Sequence, residues 1–285
     1  MASLKEVKTR IASVNNTLKI TSAMRMIASF KLHKAQIASS NMIPYQKALR
    51  EMLIETIGGQ HEDISPYLVS REVKRVAIVS VSSNSSLCGA FNANVEKAAK
   101  VVIEEYKHLG MENIILFPIG KKISKALTNS HFTVENTDFS LSDKPNFSKC
   151  AHITGQLMKL FKEQSIDRVE VIYNHFKTSA NQAVTRETLL PLTFTNEVKK
   201  QTTDYILEPD KETIIEDLIG KVLIYKIYAI LLDSNASEHA ARTVAMQLAT
   251  ENAKNLIQEL TVQYNKTRQQ AITNELLDIM GGASR

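Results

Sequence analysis

Tryptophan is absent from this chain of 285 residues, aromatic residues make up only 6%, and glycine (9) and proline (6) are scarce. An all-β domain needs rings and turn formers in larger supply, so the shortage points to helix. Cysteine is nearly missing as well. Cys88 and Cys150 lie far apart without CxxC spacing, which reads as two reduced thiols and not a disulfide scaffold. Long apolar runs are lacking: the most apolar stretch, residues 222–232, is interrupted by Lys226, and crossing a bilayer takes about 20 residues. The amino terminus enters periodic sequence at once, with no apolar signal core.

What the chain does have is helix at both ends. From Ser237 to Glu275 there is no Pro and no Gly, and Ala241, Ala245, Ala249 and Ala253 recur four apart. Such a ridge of methyls, thickened by Leu248, Leu256, Leu260 and Tyr264, lets a second helix approach closely. The partner is at the other end. Leu4, Val7, Ile11, Val14 and Leu18 step by 3 and 4, a heptad seam, which then shifts phase to Ile20, Met24, Ile27 and Phe30. Pro44 is placed to end or kink this helix, sequence favouring helix resumes to Ile57, and Gly58-Gly59 stops it. At 1.5 Å per residue a continuous helix here would be about 80 Å long. The carboxy-terminal helix starts at Lys211, is apolar on most sides from Ile214 to Leu232, reads as a turn at Asp233–Ser237, and ends at Gly281-Gly282.

Between the helices the texture changes. Residues 75–82, 113–119, 168–173 and 183–194 read as strands, with helices at 93–109, 121–127 and 147–164 between them. Strand alternating with helix gives a mostly parallel sheet, and Pro191 suits its edge. The expected fold is α/β: a long antiparallel coiled coil of the two terminal helices with an inserted Rossmann-like domain. The parts are residues 1–59, 60–210 and 211–285.

Little of this carries chemistry. The loop Ser83–Asn92 occupies the place of a phosphate-binding loop but has one glycine, with neither GxGxxG nor GxxxxGK[ST], so it reads as a polar turn capping a helix. Cys88 has no base beside it in sequence. The seven histidines share no metal-ligand spacing, and no carboxylate pair stands out. Charge is uneven: residues 1–57 hold nine Lys/Arg against three Asp/Glu, while the rest nearly balances. The basic face of Lys5, Lys8, Arg10, Lys19, Arg25, Lys31 and Lys34 lacks the aromatic stacking residues of a nucleic-acid binder and suits an acidic protein surface better. An enzyme on the α/β domain, dimerised by the coiled coil, is the rival reading.

Residues 11–26 (IASVNNTLKITSAMRM), 87–92 (LCGAFN), 185–192 (TRETLLPL), 237–246 (SEHAARTVAM) and 264–276 (YNKTRQQAITNEL) together resemble the γ subunits of F-type ATP synthases, in order and along the whole chain. The resemblance implies a central rotor shaft inside a ring of α and β subunits, with the α/β domain engaging the ε subunit and the membrane c-ring. It implies no catalytic residue, cofactor or metal in this chain, no nucleic acid, no insertion into the membrane, and a peripheral place on the cytoplasmic side of a bacterial inner membrane. By position, Met24 and Arg242 fall where the shaft passes the β subunits, and Arg25 stands where the family commonly has an acid. Arg268, Gln269, Thr273 and Glu275 fall where the upper shaft meets loops of the ring. Two further departures are Ser83-Asn84-Ser85-Ser86, where Ser-Asp-Arg-Gly is usual, and Asn274 in place of Gln.

Overall fold

The computed structural model describes residues 4–58, 65–128, 139–193 and 207–283. These fall into two compact units, residues 30–241 and residues 1–29 with 242–285. The expected loop residues 60–64 and 204–206 lie outside the described residues.

The larger unit is built on a four-stranded sheet of order β2-β1-β3-β4, with β1 Val76–Val81, β2 Ile114–Ile119, β3 Arg168–Phe176 and β4 Gln182–Leu190. β1 pairs in parallel with both neighbours, and β4 runs antiparallel to β3. Only five residues join β3 to β4, too few for a crossover, so the chain must return as a hairpin. β4 stops at Leu190 because Pro191 has no N–H to give the ladder.

Both faces of the sheet are covered, which is why β1 reads as a continuous apolar run. Val76 and Ile78 face α2 (Phe91–Tyr106) and α3 (Lys121–Thr128), meeting Val95, Ala99, Val102, Ile123 and Leu127. Ala77, Val79 and Val81 face the other way, towards α5 (Phe147–Lys162) and the first part of α6 (Lys211–Ala283). There Cys150, Leu157 and Phe161 meet Ile215, Ile219, Leu223 and Ile227, together with Leu49, Leu53 and Ile57 of α1 (Leu4–Ile57). A four-residue helix, α4 (Ser140–Asp143), has no counterpart in the sequence reading.

Within this unit α1 and α6 run antiparallel. Leu32 and Ala35 pack with Ala236 and Ala240, the Tyr45 and Tyr225 rings stand 4.6 Å apart, and Lys211 Nζ reaches the Ile57 carbonyl at 3.5 Å. α1 does not end at Pro44 but continues through it to Ile57. The bond lost there belongs to the carbonyl of Ser40, on an exposed stretch where water can replace it. α1 does end at Ile57, capped by Gly58 at φ +65° with its N–H on the Ile54 carbonyl. Asp210 precedes the first residue of α6, and its carboxylate accepts from Thr213 N and Thr213 Oγ1 at 2.9 and 2.8 Å. Those bonds hold its pKa below the ordinary value. α6 stays helical through 233–237, where the sequence looks locally like a turn and leaves a break open, and it does not stop at Gly281-Gly282 but runs to Ala283.

Candidate functional site

In the smaller unit the seam differs from both sequence expectations. On α1 the heptad does not shift phase. Val7 is buried, Leu4, Ile11, Val14 and Leu18 are half-buried, and the row continues through buried Thr21 and Ala28. Ile20 and Ile27, expected to carry the shifted seam, are both 59% exposed, and Phe30, just inside the larger unit, is exposed too. On α6 the alanines are not the centre of the contact. The buried row is Arg242, Met246, Thr250, Ala253 and Leu260, with Ile257 and Tyr264 half-buried, while Leu248 is exposed. A ridge of period four turns about 40° per step away from any straight contact line, whereas steps of 3 and 4 keep to it.

The polar centre of this seam is a pair the sequence reading passed over. Thr250 Oγ1 lies 3.0 Å from Thr21 Oγ1, 2.7 Å from the Met246 carbonyl, and Thr21 Oγ1 lies 3.2 Å from the Leu18 carbonyl. Each hydroxyl has one proton, so one crosses between helices while the other bonds back to its own helix.

The seven residues singled out by resemblance all fall in the smaller unit. Met24 and Arg25 are half-buried, Arg242 is buried, and Arg268, Gln269, Thr273 and Glu275 are exposed. On the helix Arg268 and Glu275 share one face, seven residues apart. Gln269 and Thr273 share another, with Thr273 Oγ1 on the Gln269 carbonyl at 2.9 Å.

The loop after β1, in the larger unit, is filled by its own bonds. Asn92 Oδ1 accepts from Ser83 N at 3.0 Å, and its Nδ2 donates to Ser83 Oγ at 2.8 Å and lies 3.2 Å from Cys88 Sγ. Ser82 Oγ takes the Ile123 N–H, and Ser82 O takes the hydroxyl of Ser142. Gly120, at φ +115°, lies so close that a Cβ there would collide with the Ser82 carbonyl. Asn84 ties three segments together. Its Oδ1 accepts from Lys121 N at 2.9 Å, and its Nδ2 donates to the Phe139 carbonyl at 2.7 Å and to Asp143 Oδ2 at 2.8 Å. The loop is thus closed on Asn92 and tied to α3 and α4, and these bonds staple the elements around the end of β1.

In the signature stretch 185–192, Arg186 and Glu187 hold elements of the larger unit together. Arg186 Nη2 donates to buried Glu170 at 3.0 Å, which also accepts from Tyr106 OH at 2.6 Å. Glu187 accepts from Tyr173 OH at 2.6 Å and lies 3.5 Å from Lys226 Nζ. Burial pulls the Lys226 pKa below its ordinary value in spite of that carboxylate. A cleft of about 430 Å³ opens beside them, lined by Ser40 and Ile43 of α1, Tyr173 and His175 of β3, and Lys226 and Asp233 of α6. Among the described residues no three His, Cys, Asp or Glu side chains gather as a metal-binding group, and no helix is long and apolar enough to cross a membrane.

A family model described as ATP synthase matches residues 3–284. The ATP synthase gamma chain of Phocaeicola vulgatus is 54% identical over 287 residues, covering 99% of each chain. That of Bacteroides fragilis strain ATCC 25285 is 55% identical over 288 residues, with 99% of each chain covered. Among solved structures, the central stalk and c-ring of Tetrahymena thermophila mitochondrial ATP synthase matches with a TM-score of 0.61 at 25% identity, covering 81% of this chain and 99% of that one. The rotor of Euglena gracilis mitochondrial ATP synthase matches in fold with a TM-score of 0.64 at 18% identity, covering 94% and 98%. Spanned almost end to end by these relatives, the chain belongs to the gamma chains of the ATP synthase family, the non-catalytic central-stalk subunits of that enzyme.

Proposed function

We propose that this chain turns inside a ring of α and β subunits and couples ion flow through a membrane c-ring to ATP synthesis or hydrolysis on that ring. In this reading residues 60–210 engage the ε subunit and the c-ring, and the helices of residues 1–59 and 211–285 form the shaft. The complex works at the bacterial inner membrane, with this chain held peripherally on the cytoplasmic side. Met24, Arg25 and Arg242 pass the β subunits, and Arg268, Gln269, Thr273 and Glu275 meet loops of the ring.

The observation that carries this reading is the far part of α6, where Val262, Ile272, Leu276, Leu277, Ile279 and Met280 are all exposed. So many apolar side chains on one short stretch want an enclosing partner. A turning shaft must not lock at one angle, and a narrow helix with scattered apolar and charged groups offers shape and soft electrostatics in place of one large grip. Each shaft angle then favours a different conformation of the surrounding catalytic subunits, and rotation shifts their populations in turn.

Isolated from membranes through a tag on this chain, the complex should contain two larger nucleotide-binding subunits. The purified chain alone should neither hydrolyse ATP nor bind nucleotide tightly, and turnover by the chain alone would refute the proposal. Arg268→Ala should lower ATP-driven ion pumping by about tenfold, the order set by one lost charge-assisted hydrogen bond. Pumping at the wild-type rate in that variant would remove Arg268 from the ring contacts.

A further inference from the structure

α6 is helical where its sequence reads as a turn, and the residues that mislead are the ones that bond outward. Asp233 Oδ1 accepts from the Phe176 N–H at 3.0 Å, and its Oδ2 stands 2.6 Å from His175 Nδ1, both at the end of β3. Asn235 Nδ2 donates to the Ser142 carbonyl of α4 at 2.9 Å. One heptad before Asp233, Lys226 Nζ donates to the Thr188 carbonyl of β4 at 3.1 Å. All of these lie in the larger unit.

Their angular placement matters more than their number. At about 100° per residue, Lys226 and Asp233 fall on one side of the helix, and Asn235 falls about 160–180° away, on the opposite side. The helix is therefore gripped by β3 and β4 from one side and by α4 from the other. The packing of Ile219, Leu223, Ile227 and Ile230 beside these bonds is apolar and has no preferred direction. Apolar packing holds a helix against a sheet but resists rolling about the helix axis weakly; directional bonds on opposite sides resist it in both senses. Asp, Ser and Asn are poorer helix formers than Ala, so residues 233–235 give up intrinsic helix stability for these bonds.

We propose that Asp233 and Asn235, with Lys226, are positioning residues that transmit torque between the α/β domain and the shaft helix. The inference rests on the rotor role above and adds to it the place where twist crosses from sheet to helix.

The test uses the assembled complex in membrane vesicles and reads ATP-driven ion pumping against ATP hydrolysis. In the Asp233→Ala/Asn235→Ala double variant, whose substitutions improve helix propensity, hydrolysis should persist while the pumping-to-hydrolysis ratio falls by about tenfold, the scale set by the lost hydrogen bonds. Asp233→Asn, which keeps an acceptor for the Phe176 N–H, should retain more of the ratio than Asp233→Ala. Ser237→Ala is the control: Ser237 Oγ is buried in the same stretch with no partner among the described residues, and its removal should leave the ratio unchanged. A wild-type ratio in the double variant overturns the inference, as does a parallel fall of hydrolysis and pumping, which a merely structural role would give. If the double variant does not assemble, Asn235→Ala alone carries the same expectation and the same refutation. Wild-type vesicles that hydrolyse ATP without pumping would overturn the rotor role itself, and this inference with it.

Discussion

Asn84→Asp restores the residue that the family usually carries in the loop after β1, and the structure says it should harm this chain. The introduced carboxylate can still accept from Lys121 N, as Asn84 Oδ1 does at 2.9 Å. Its other oxygen would face the Phe139 carbonyl and the Asp143 carboxylate, where Asn84 Nδ2 now donates at 2.7 and 2.8 Å. A neutral hydrogen bond of about 1 kcal/mol and one to an ionised carboxylate of about 2 kcal/mol are lost. Repulsion between the carboxylates adds about 1 kcal/mol at most, because Asp143 is exposed and can turn towards water. The expected destabilisation is about 3 kcal/mol at neutral pH, and at about 2–4 °C per kcal/mol the midpoint should drop by roughly 6–12 °C. The sign with pH is also fixed. The folded state disfavours the ionised form of the new carboxyl, so its folded pKa lies above the unfolded value of about 3.9. The deficit against wild type should therefore be smallest below about pH 4, where the protonated carboxyl can still donate one of the two bonds, and grow as pH rises through the folded value. Thermal unfolding of the full-length chain at pH 4 and pH 7 measures both. An unchanged midpoint at pH 7, or an equal deficit at both pH values, would refute the reasoning.

Thr250→Val keeps the shape of the seam and removes the crossing hydrogen bond, while Thr21 still has the Leu18 carbonyl as acceptor; the loss should be only about 1 kcal/mol in chemical denaturation, and a loss several times larger would contradict it. Cys150, buried against α6, has its thiol pKa pushed by burial from 9.0 up to about 12. Its contribution is fully present below pH 9 and lost as pH rises through about 12, so Cys150→Ala should flatten the fall of stability over that window, by up to about 4 kcal/mol at its upper end. Unfolding midpoints of the two proteins between pH 8 and pH 12 check this. Ser237→Ala should raise stability by about 1 kcal/mol, since it removes a buried hydroxyl without a partner among the described residues and improves helix propensity; a loss in urea unfolding would show that the hydroxyl is satisfied.

How much of this was legible depended on whether local sequence or a distant partner decided the outcome. The strands were readable because a parallel sheet covered on both faces demands apolar runs such as Val76–Val81, whatever covers them. The Ser83–Asn92 loop was readable as a polar turn, and Asn92 shows how it closes, on the Ser83 N–H. α4 was not readable, because four residues contain no period; bonds from Asn84 and Ser142 hold it in place. The phase of the seam was misread at Ile20 and Ile27 for a related reason. Hydrophobicity selects the most apolar phase, but the two threonines satisfy one another, and a polar residue with a partner across the seam can occupy a position that a lone one cannot. The same holds at 233–237, where Asp and Asn signal a turn only if their side chains must bond to their own backbone. Given Phe176 N and the Ser142 carbonyl as partners, they leave the backbone free to stay helical. At Thr21 and Thr250 and at residues 233–235 the polar signals that misled thus mark positions where a directional bond joins two elements.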